Sequence, residues 1–410
     1  MSWAKDDLNL FYDELKVTTS ANVIHLLSCG HHIFNSLLHS PSEHLLQSLL
    51  DTAYHEMSLA PSSICWPRLY TDVSIIQSLA YISISAIAQL DRAIIIAGAA
   101  GQGRLDLVLS LIRKLQSHFF PPFKFIPLSI PSSQIDTPIL HLSTSSHDIP
   151  TIDPAPSFTS FQHRYPFLLR NNARSWPAIN EHPWASAAYL RSVAGPARIV
   201  PVEVGADYRT DDWTQQFILW DEFLATLQFF DQPPTAQSNK VLYLAQHNLL
   251  MQFPDLSRDI IIPDYVYSCP PPPVDYPQYK PPGNDEQLVI NAWLGPRGTI
   301  SPAHTDPYYN LYVQVVGRKT VWLAPPSVTA SMYAFESNAN PASNKTNPSM
   351  SNTSRVDVFD DKNLYPQFWT DVVPEAMSIT LTPGDMLFIP PGWWHAMRAE
   401  ETSFSVSMWF

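Results

Sequence analysis

The stretch Ser301–Lys319, SPAHTDPYYNLYVQVVGRK, carries a histidine, an aspartate two residues on, and a lysine fifteen residues after the histidine. On an extended strand the side chains at i and i+2 leave the same face, so His304 and Asp306 reach toward one point while Thr305 turns away. Alone, an HxD pair reads as polar decoration at a sheet rim. His395 changes that reading. It follows GDMLFIPPGWW, in which Gly384-Asp385 turns the chain, Met386 to Ile389 forms a strand and the Pro-Pro-Gly bend redirects it. Two imidazoles and one carboxylate form the set that holds non-haem Fe(II) on three positions and leaves the opposite three open. A structural zinc site fills four positions and prefers cysteine. Cys29, Cys65 and Cys269 all lie far from both motifs.

Lys319 is the second signal. Gly317-Arg318 reads as a hairpin turn, after which Lys319, Val321 and Leu323 share one strand face and Thr320, Trp322 and Ala324 the other. If the apolar pair faces the interior, Lys319 does too. A buried cation needs an anion, and a dicarboxylate chelating the iron through its keto-acid end supplies one with its far carboxylate. The bland alternative is a lysine that reaches water at the mouth of a barrel.

Outward from this stretch, short apolar runs separated by turns follow one another: ARIVPVEVG, QLVINAWLG, LYVQVVG, KTVWLAPP, MSITLTPG, DMLFIPPG and FSVSMWF. They predict an all-β core, a barrel or double-sheet jelly roll, preceded by helices around Trp184 to Val193 and Trp213 to Leu227. Residues 1–120 are different in kind. There, apolar residues recur at helical spacing, so a helical N-terminal domain is expected, with GAAGQG as a tight turn between helices and not a nucleotide loop. The apolar run Val73 to Leu90 reads as a buried helix, since polar residues interrupt it. Residues 121–160, rich in Pro, Ser and Thr, read as a linker, and 161–410 as the β domain. Two insertions, SCPPPPVDYPQYKPPGND and ESNANPASNKTNPSMSNTS, read as surface loops that leave the ligand set untouched.

The 24 Lys+Arg against 37 Asp+Glu leave a charge of −13, which speaks against tracking a nucleic-acid backbone and favours a basic protein or peptide as partner. Three scattered cysteines and a charged amphipathic start predict a reducing compartment, nuclear and/or cytoplasmic and not secreted, without a membrane span.

With these residues assembled, the chain resembles a JmjC-domain oxygenase of the cupin type, and more narrowly the JmjC domain-containing protein five family. RIVPVEVG, YLAQH, INAWLGPRGTISPAHTDPYYNLYVQVVGRK, LTPGDMLFIPPGWWHAMRA and SFSVSMWF carry the likeness across most of residues 160–410. The resemblance implies an α+β chain: a helical N-terminal domain, then a double-stranded β-helix with flanking helices. It implies that His304, Asp306 and His395 bind Fe(II). It also implies that Lys319 meets the far carboxylate of 2-oxoglutarate, assisted by Tyr243, Ser301 and Asn310, that Trp293 walls the pocket, and that O2 is the oxidant. Glu203 and Trp213 are placed by the same likeness near the substrate side chain, where a carboxylate and an aromatic face suit a guanidinium or ammonium group. Thr305 stands where the family often has Gln.

The implied activity is hydroxylation of a protein side chain, with an arginyl residue favoured. Histone methyl-lysine demethylation uses the same oxidant on an N-methyl group and is the alternative. A catalytically silent scaffold is a reading of another class; its mark would be a lost ligand or a lost lysine, and all four residues are present.

Overall fold

The computed structural model describes the chain apart from residues 1, 18–19, 39–41, 123–141, 162–163, 206, 208, 210–212, 234–240 and 336–349. It divides into two compact units, one comprising Met1–Phe125, Arg191–Pro201 and Phe217–Glu222, the other Ile126–Leu190, Val202–Gln216 and Phe223–Phe410.

The first unit is helical, with α1 (Ser2–Leu15), α2 (Ala21–Leu27), α3 (His31–Leu38), α4 (Glu43–Leu59), α5 (Cys65–Ala80), α6 (Ser85–Ala97) and α7 (Arg104–Phe119). Leu69, Val73 and Ile76 of α5 are fully buried, and α1, α2, α4 and α6 pack around that helix. Polar groups are buried too, but as pairs: Asp72 binds Arg68 at 2.6 Å and Arg104 at 2.8 Å, and Arg104 reaches Glu14 at 2.7 Å. Pairing of this kind offsets the desolvation that an isolated charge would suffer. The expected helix over Val73 to Leu90 is broken. Residues 81–84 form the turn between α5 and α6, and among the described residues no helix is long and apolar enough to cross a membrane. GAAGQG is the inter-helix turn the sequence predicts, with left-handed Gly98 closing α6 and left-handed Gly103 opening α7.

The strands are β1 (His147–Asp148), β2 (Phe167–Leu169), β3 (Ile199–Val204), β4 (Thr214–Leu219), β5 (Leu242–His247), β6 (Val289–Gly295), β7 (Ile300–Thr305), β8 (Asn310–Val316), β9 (Lys319–Ala324), β10 (Met377–Leu381), β11 (Met386–Ile389), β12 (Trp394–Ala399) and β13 (Ser403–Trp409). One sheet runs β1-β10-β9-β12-β7 and the other β2-β11-β8-β13-β6-β5-β3-β4. This is the jelly-roll architecture that the alternating runs predict. Val321 and Leu323 of β9, Tyr312 of β8 and Leu387 and Ile389 of β11 belong to one buried cluster, whereas Trp322 and Ala324 belong to another with Phe368 and Val372. β9 is therefore buried on both faces, and its face with Val321 and Leu323 carries Lys319 into the interior with it.

Four expectations need correction. Gly317-Arg318 is a corner and not a hairpin, because β8 and β9 lie in different sheets and the chain crosses between them there. The helix expected over Trp213 to Leu227 is a strand, β4, followed by the short helix Trp220–Ala225; Thr214 to Leu219 extends the sheet beside β3. The helix expected from Trp184 begins at Ala187. Of the expected linker, 123–141 lie outside the described residues, but 142–160 are built into the second unit. Leu142 and Ile149 are buried, Trp322 Nε1 donates to Thr144 O, and His147–Asp148 pair in parallel with Met377–Ser378.

Gly317 has φ +68, and a Cβ there would collide with the carbonyl oxygen of Thr402. Gly317→Ala is expected to destabilise the second unit by about 1–3 kcal/mol, read as a lower urea midpoint at unchanged slope.

Candidate metal centre

Antiparallel pairing of β12 with β7 sets Trp394 opposite Thr305 and His395 opposite His304. The register then shifts, and Met397 faces Ser301, so β7 spends one more residue than β12 over this interval. Such a bulge changes which side chains share a face. Ser301 and His304, three residues apart, thereby line one recess together with Asp306, Asn310, Trp293 and His395. Pro302, which has no N–H to give to a ladder, occupies the bulge, as its chemistry allows.

His304, Asp306 and His395 present one ligand atom each within 4.8 Å of one another. Asp306 Oδ1 is 3.8 Å from His304 Nε2, and Oδ2 is 3.4 Å from His395 Nε2. Each imidazole is oriented from behind. His304 Nδ1 donates to Pro302 O at 2.7 Å and His395 Nδ1 donates to Trp393 O at 3.0 Å, which leaves both Nε2 atoms facing the carboxylate. That is the second-layer arrangement that fixes the tautomer of a metal-binding histidine. Burial and the neighbouring His395 push His304 down to about 4, so its Nε2 lone pair is free. Burial alone would raise Asp306, but its bond to His395 and both imidazole charges outweigh that and hold it low; His395 is held up by the same carboxylate. A divalent ion would take the place of the proton between them.

The strand carrying His304 is tied down on both sides. Gly392 N–H donates to Asp306 O at 2.9 Å, binding the Pro-Pro-Gly bend to the ligand loop. On the other side, Thr305 N donates to Asn352 O and Ser354 N to Ala303 O, with His304 bridging to Thr353. The second insertion was expected to leave the ligand set untouched, yet its end pairs with the ligand strand; the free edge of β7 needs hydrogen-bond partners, and residues 352–354 supply them. Residues 336–349 of that loop lie outside the described residues.

The lysine is tied to this recess through Tyr312. Lys319 is 2% exposed, its Nζ donates to Tyr312 Oη at 2.8 Å, and it lies 5.8 Å from the Tyr243 ring centre and 5.6 Å from that of Tyr312. Among the described residues no carboxylate comes within ion-pair range of it. Burial alone lowers it to about 7. Burial pushes the Tyr243 phenol up, with the neighbouring Ser301 opposing, and Trp293 Nε1 donates to Ser407 Oγ at 2.9 Å. Among the described residues Asn310 Oδ1 is buried without a partner, as is the amide nitrogen of Asn291. The recess at the triad is thus lined by Asn310, whose Oδ1 has no partner among the described residues, and by Tyr312, which accepts from Lys319. A buried ammonium without an acid beside it among the described residues suits an anionic ligand.

Glu203 is paired across β3 and β5 with Tyr243. Burial raises its carboxyl, the adjacent Trp213 indole opposes that, and Asp207 adds to the rise. Among the described residues the Trp213 N–H has no partner in hydrogen-bond range. Tyr312, which lines the recess, escaped the sequence reading, as did the buried Asn291. Both were within reach of it, since each lies two residues from a residue singled out, Asn310 and Trp293, on the same strand face.

A family model described as a cupin-like domain matches residues 158–410. The chain is 40% identical over 273 residues to Jumonji C domain-containing protein 5 of Drosophila melanogaster, covering 65% of this chain and 61% of that one. It is 39% identical to Lysine-specific demethylase 8 of Danio rerio, covering 60% and 53%. It is 23% identical to the human Bifunctional peptidase and (3S)-lysyl hydroxylase JMJD7, covering 64% and 84%. The chain thus spans little more than half the length of the first two relatives.

His304→Ala and His395→Ala are each expected to weaken Mn(II) binding, followed by titration calorimetry, by at least about tenfold to a hundredfold. Lys319→Met is expected to leave the affinity for the bare ion unchanged.

Proposed function

The chain belongs to the cupin-like domain family and carries a JmjC-type domain, and on that footing we propose that it is an Fe(II)- and 2-oxoglutarate-dependent oxygenase that hydroxylates an arginyl side chain of a basic protein or peptide. Support comes first from the convergence of His304, Asp306 and His395, with both imidazoles locked to leave Nε2 inward. A structural site would close the fourth position, and among the described residues no further His, Cys, Asp or Glu joins the cluster. Fe(II) with 2-oxoglutarate supplies chemistry that inserts one oxygen atom of O2 into a C–H bond while the 2-oxo acid becomes succinate and CO2.

The remaining work belongs to the side chains. His304, Asp306 and His395 hold the ion by one face and leave the other to exchangeable ligands. Lys319 binds the far carboxylate by charge, with Tyr243 and Ser301 beside it, and Asn310 adds a polar contact. Trp293 and Met397 keep the recess narrow and exclude water, which strengthens each of these contacts. Glu203 receives the substrate cation, and Trp213 offers its ring.

The observation that favours arginine is Glu203. It is a partly buried carboxylate whose neighbours are an indole, a tyrosine and another acid. A guanidinium can bind it through two parallel N–H groups, which a methylated ammonium cannot. Demethylation is kept as the second reading because a similar protein is named Lysine-specific demethylase 8.

The test is mass spectrometry of arginine-rich and methyl-lysine peptides after incubation with Fe(II) and 2-oxoglutarate. One added oxygen on arginine, lost with Glu203→Ala, is the expected result, and Glu203→Ala should raise the peptide KM more than about tenfold while peptide-independent turnover of 2-oxoglutarate persists. Loss of a methyl group from lysine, with arginine unaltered, would overturn the arginyl reading in favour of the demethylase.

A pH dependence follows from Lys319. Its folded value, about 7, lies below its ordinary one because burial disfavours the charged form, so the ammonium persists below that pH and is lost above it. Affinity for 2-oxoglutarate should therefore fall as pH rises from about 7 to 9, approaching tenfold per unit. Lys319→Met should bind weakly throughout and show no such slope.

A further inference from the structure

The bend Pro390-Pro391-Gly392-Trp393 serves two of the three ligands, and its own backbone does little to hold it. Gly392 N–H donates to Asp306 O at 2.9 Å, and Trp393 O receives the Nδ1 proton of His395 at 3.0 Å. Pro390 and Pro391 have no N–H to give, and Trp393 N reaches Pro390 O only at 3.4 Å. A bend so short of internal bonds takes its shape from what packs on it. On Gly392 lies the ring of Tyr276, from the insertion SCPPPPVDYPQYKPPGND. Gly392 has φ +78, and a Cβ there would lie 2.4 Å from Tyr276 Cδ2, 3.1 Å from Cε2 and 3.2 Å from Cγ. The ring edge therefore rests on the bare α-carbon, in space that a side chain would take.

Tyr276 is itself held in place. Its N–H donates to Pro273 O at 3.1 Å, and Tyr279 N–H donates to Tyr276 O at 3.2 Å, so the segment turns twice in succession. Tyr279 is buried and meets Tyr309 edge-on with ring centres 4.8 Å apart, and Tyr309 Oη donates to Pro271 O at 2.9 Å. The insertion is thus fastened on either side of Tyr276 to one residue, Tyr309, which immediately precedes β8 and lies three positions after Asp306. Tyr309 also stacks on Phe388 of β11 at 5.9 Å, and β11 leads into the bend. Proline fixes φ along much of the segment, so little freedom is left to lose in presenting the ring. The insertion was expected to leave the ligand set untouched, yet it packs on the bend that orients Asp306 and His395.

We propose that Tyr276 is a positioning residue of the metal centre. Its ring holds the bend in the shape that presents Gly392 N–H to Asp306 and Trp393 O to His395, and the Pro-rich insertion is the frame that carries it. This rests on the reading of His304, Asp306 and His395 as a metal site. The ring and not the hydroxyl makes the contact, since the atoms nearest Gly392 are ring carbons. Tyr276 is partly exposed, so its truncation costs the fold less than loss of a core side chain would. The effect falls on the orientation of one carboxylate and one imidazole. His304, oriented by Pro302 O within its own strand, is held independently.

The experiment uses the full chain and follows three quantities: Mn(II) affinity by calorimetry, the visible ligand-field bands of the Co(II)-loaded protein, and the urea midpoint of the metal-free protein. Tyr276→Ala should weaken Mn(II) binding by about tenfold and shift the Co(II) bands, with the urea midpoint close to wild type. Tyr276→Phe should keep the wild-type affinity and bands. Gly392→Ala should weaken Mn(II) at least as much, because its Cβ displaces the ring and its backbone is strained. Adding Tyr276→Ala to Gly392→Ala should cost nothing further, since the contact is already lost. Wild-type affinity and bands in Tyr276→Ala would overturn the proposal, whatever the urea midpoint does; so would losses that add in the double variant, or a Tyr276→Phe variant as weak as Tyr276→Ala. Mn(II) binding that His304→Ala leaves unchanged would overturn the metal reading itself and this inference with it.

Discussion

The alignment of His395 with His304 across β12 and β7 is the constraint on which the site depends. The two residues are ninety-one apart in the chain and meet because antiparallel register leaves strand neighbours no freedom to slide. A slip of one residue would turn His395 to the opposite face, toward the cluster of Trp322 and Phe368. Several features resist that slip. The Pro-Pro-Gly bend is bonded to Asp306, the bulge at Pro302 and Ala303 interrupts any uniform slide, and Trp394 is buried beside His395. Register, bulge and bend together convert two remote sequence motifs into three ligand atoms around one point.

Buried polarity is handled in two ways in this chain, and the contrast separates architecture from chemistry. In the helical unit Asp72 is shared by two arginines, and Arg198 grips Asp91 at 2.7 Å. Those charges are answered from within. In the jelly roll Lys319, Asn310 and Asn291 are equally buried and are not answered by an acid, a donor and an acceptor, respectively, among the described residues. A buried polar group without its complement is costly, and one of these, Asn310, lines the recess of the triad, where a bound ligand can answer it. The same argument keeps the scaffold reading weak, since a silent barrel has no reason to carry such a lining.

How much of this the sequence disclosed follows from the range of the interactions involved. His304 and Asp306 were legible because a two-residue period is a local property of strands, and Lys319 was legible because Val321 and Leu323 report its face. The jelly roll followed from the spacing of apolar runs. The corner at Gly317 was not legible: a glycine turn between two strands has the same sequence whether the strands pair or part into separate sheets. Trp213 to Leu227 misled because its apolar residues fit either period, and the neighbouring β3 decided for a strand.

Edge position explains why an insertion came to matter to the ligand strand. β7 ends its sheet, and an unpaired edge frays and invites foreign strands. Yet β7 carries Ser301 and His304 and leads directly into Asp306, so fraying there would disperse the site. Covering the edge with residues 352–354 pins the backbone of Ala303 and Thr305 and adds no further strand. Asn352 adds its side-chain bond to Thr305 O at 3.0 Å. The contact is short, three residues long, yet it reaches the backbone on either side of His304, so it holds the part of β7 that the convergence with Asp306 and His395 requires.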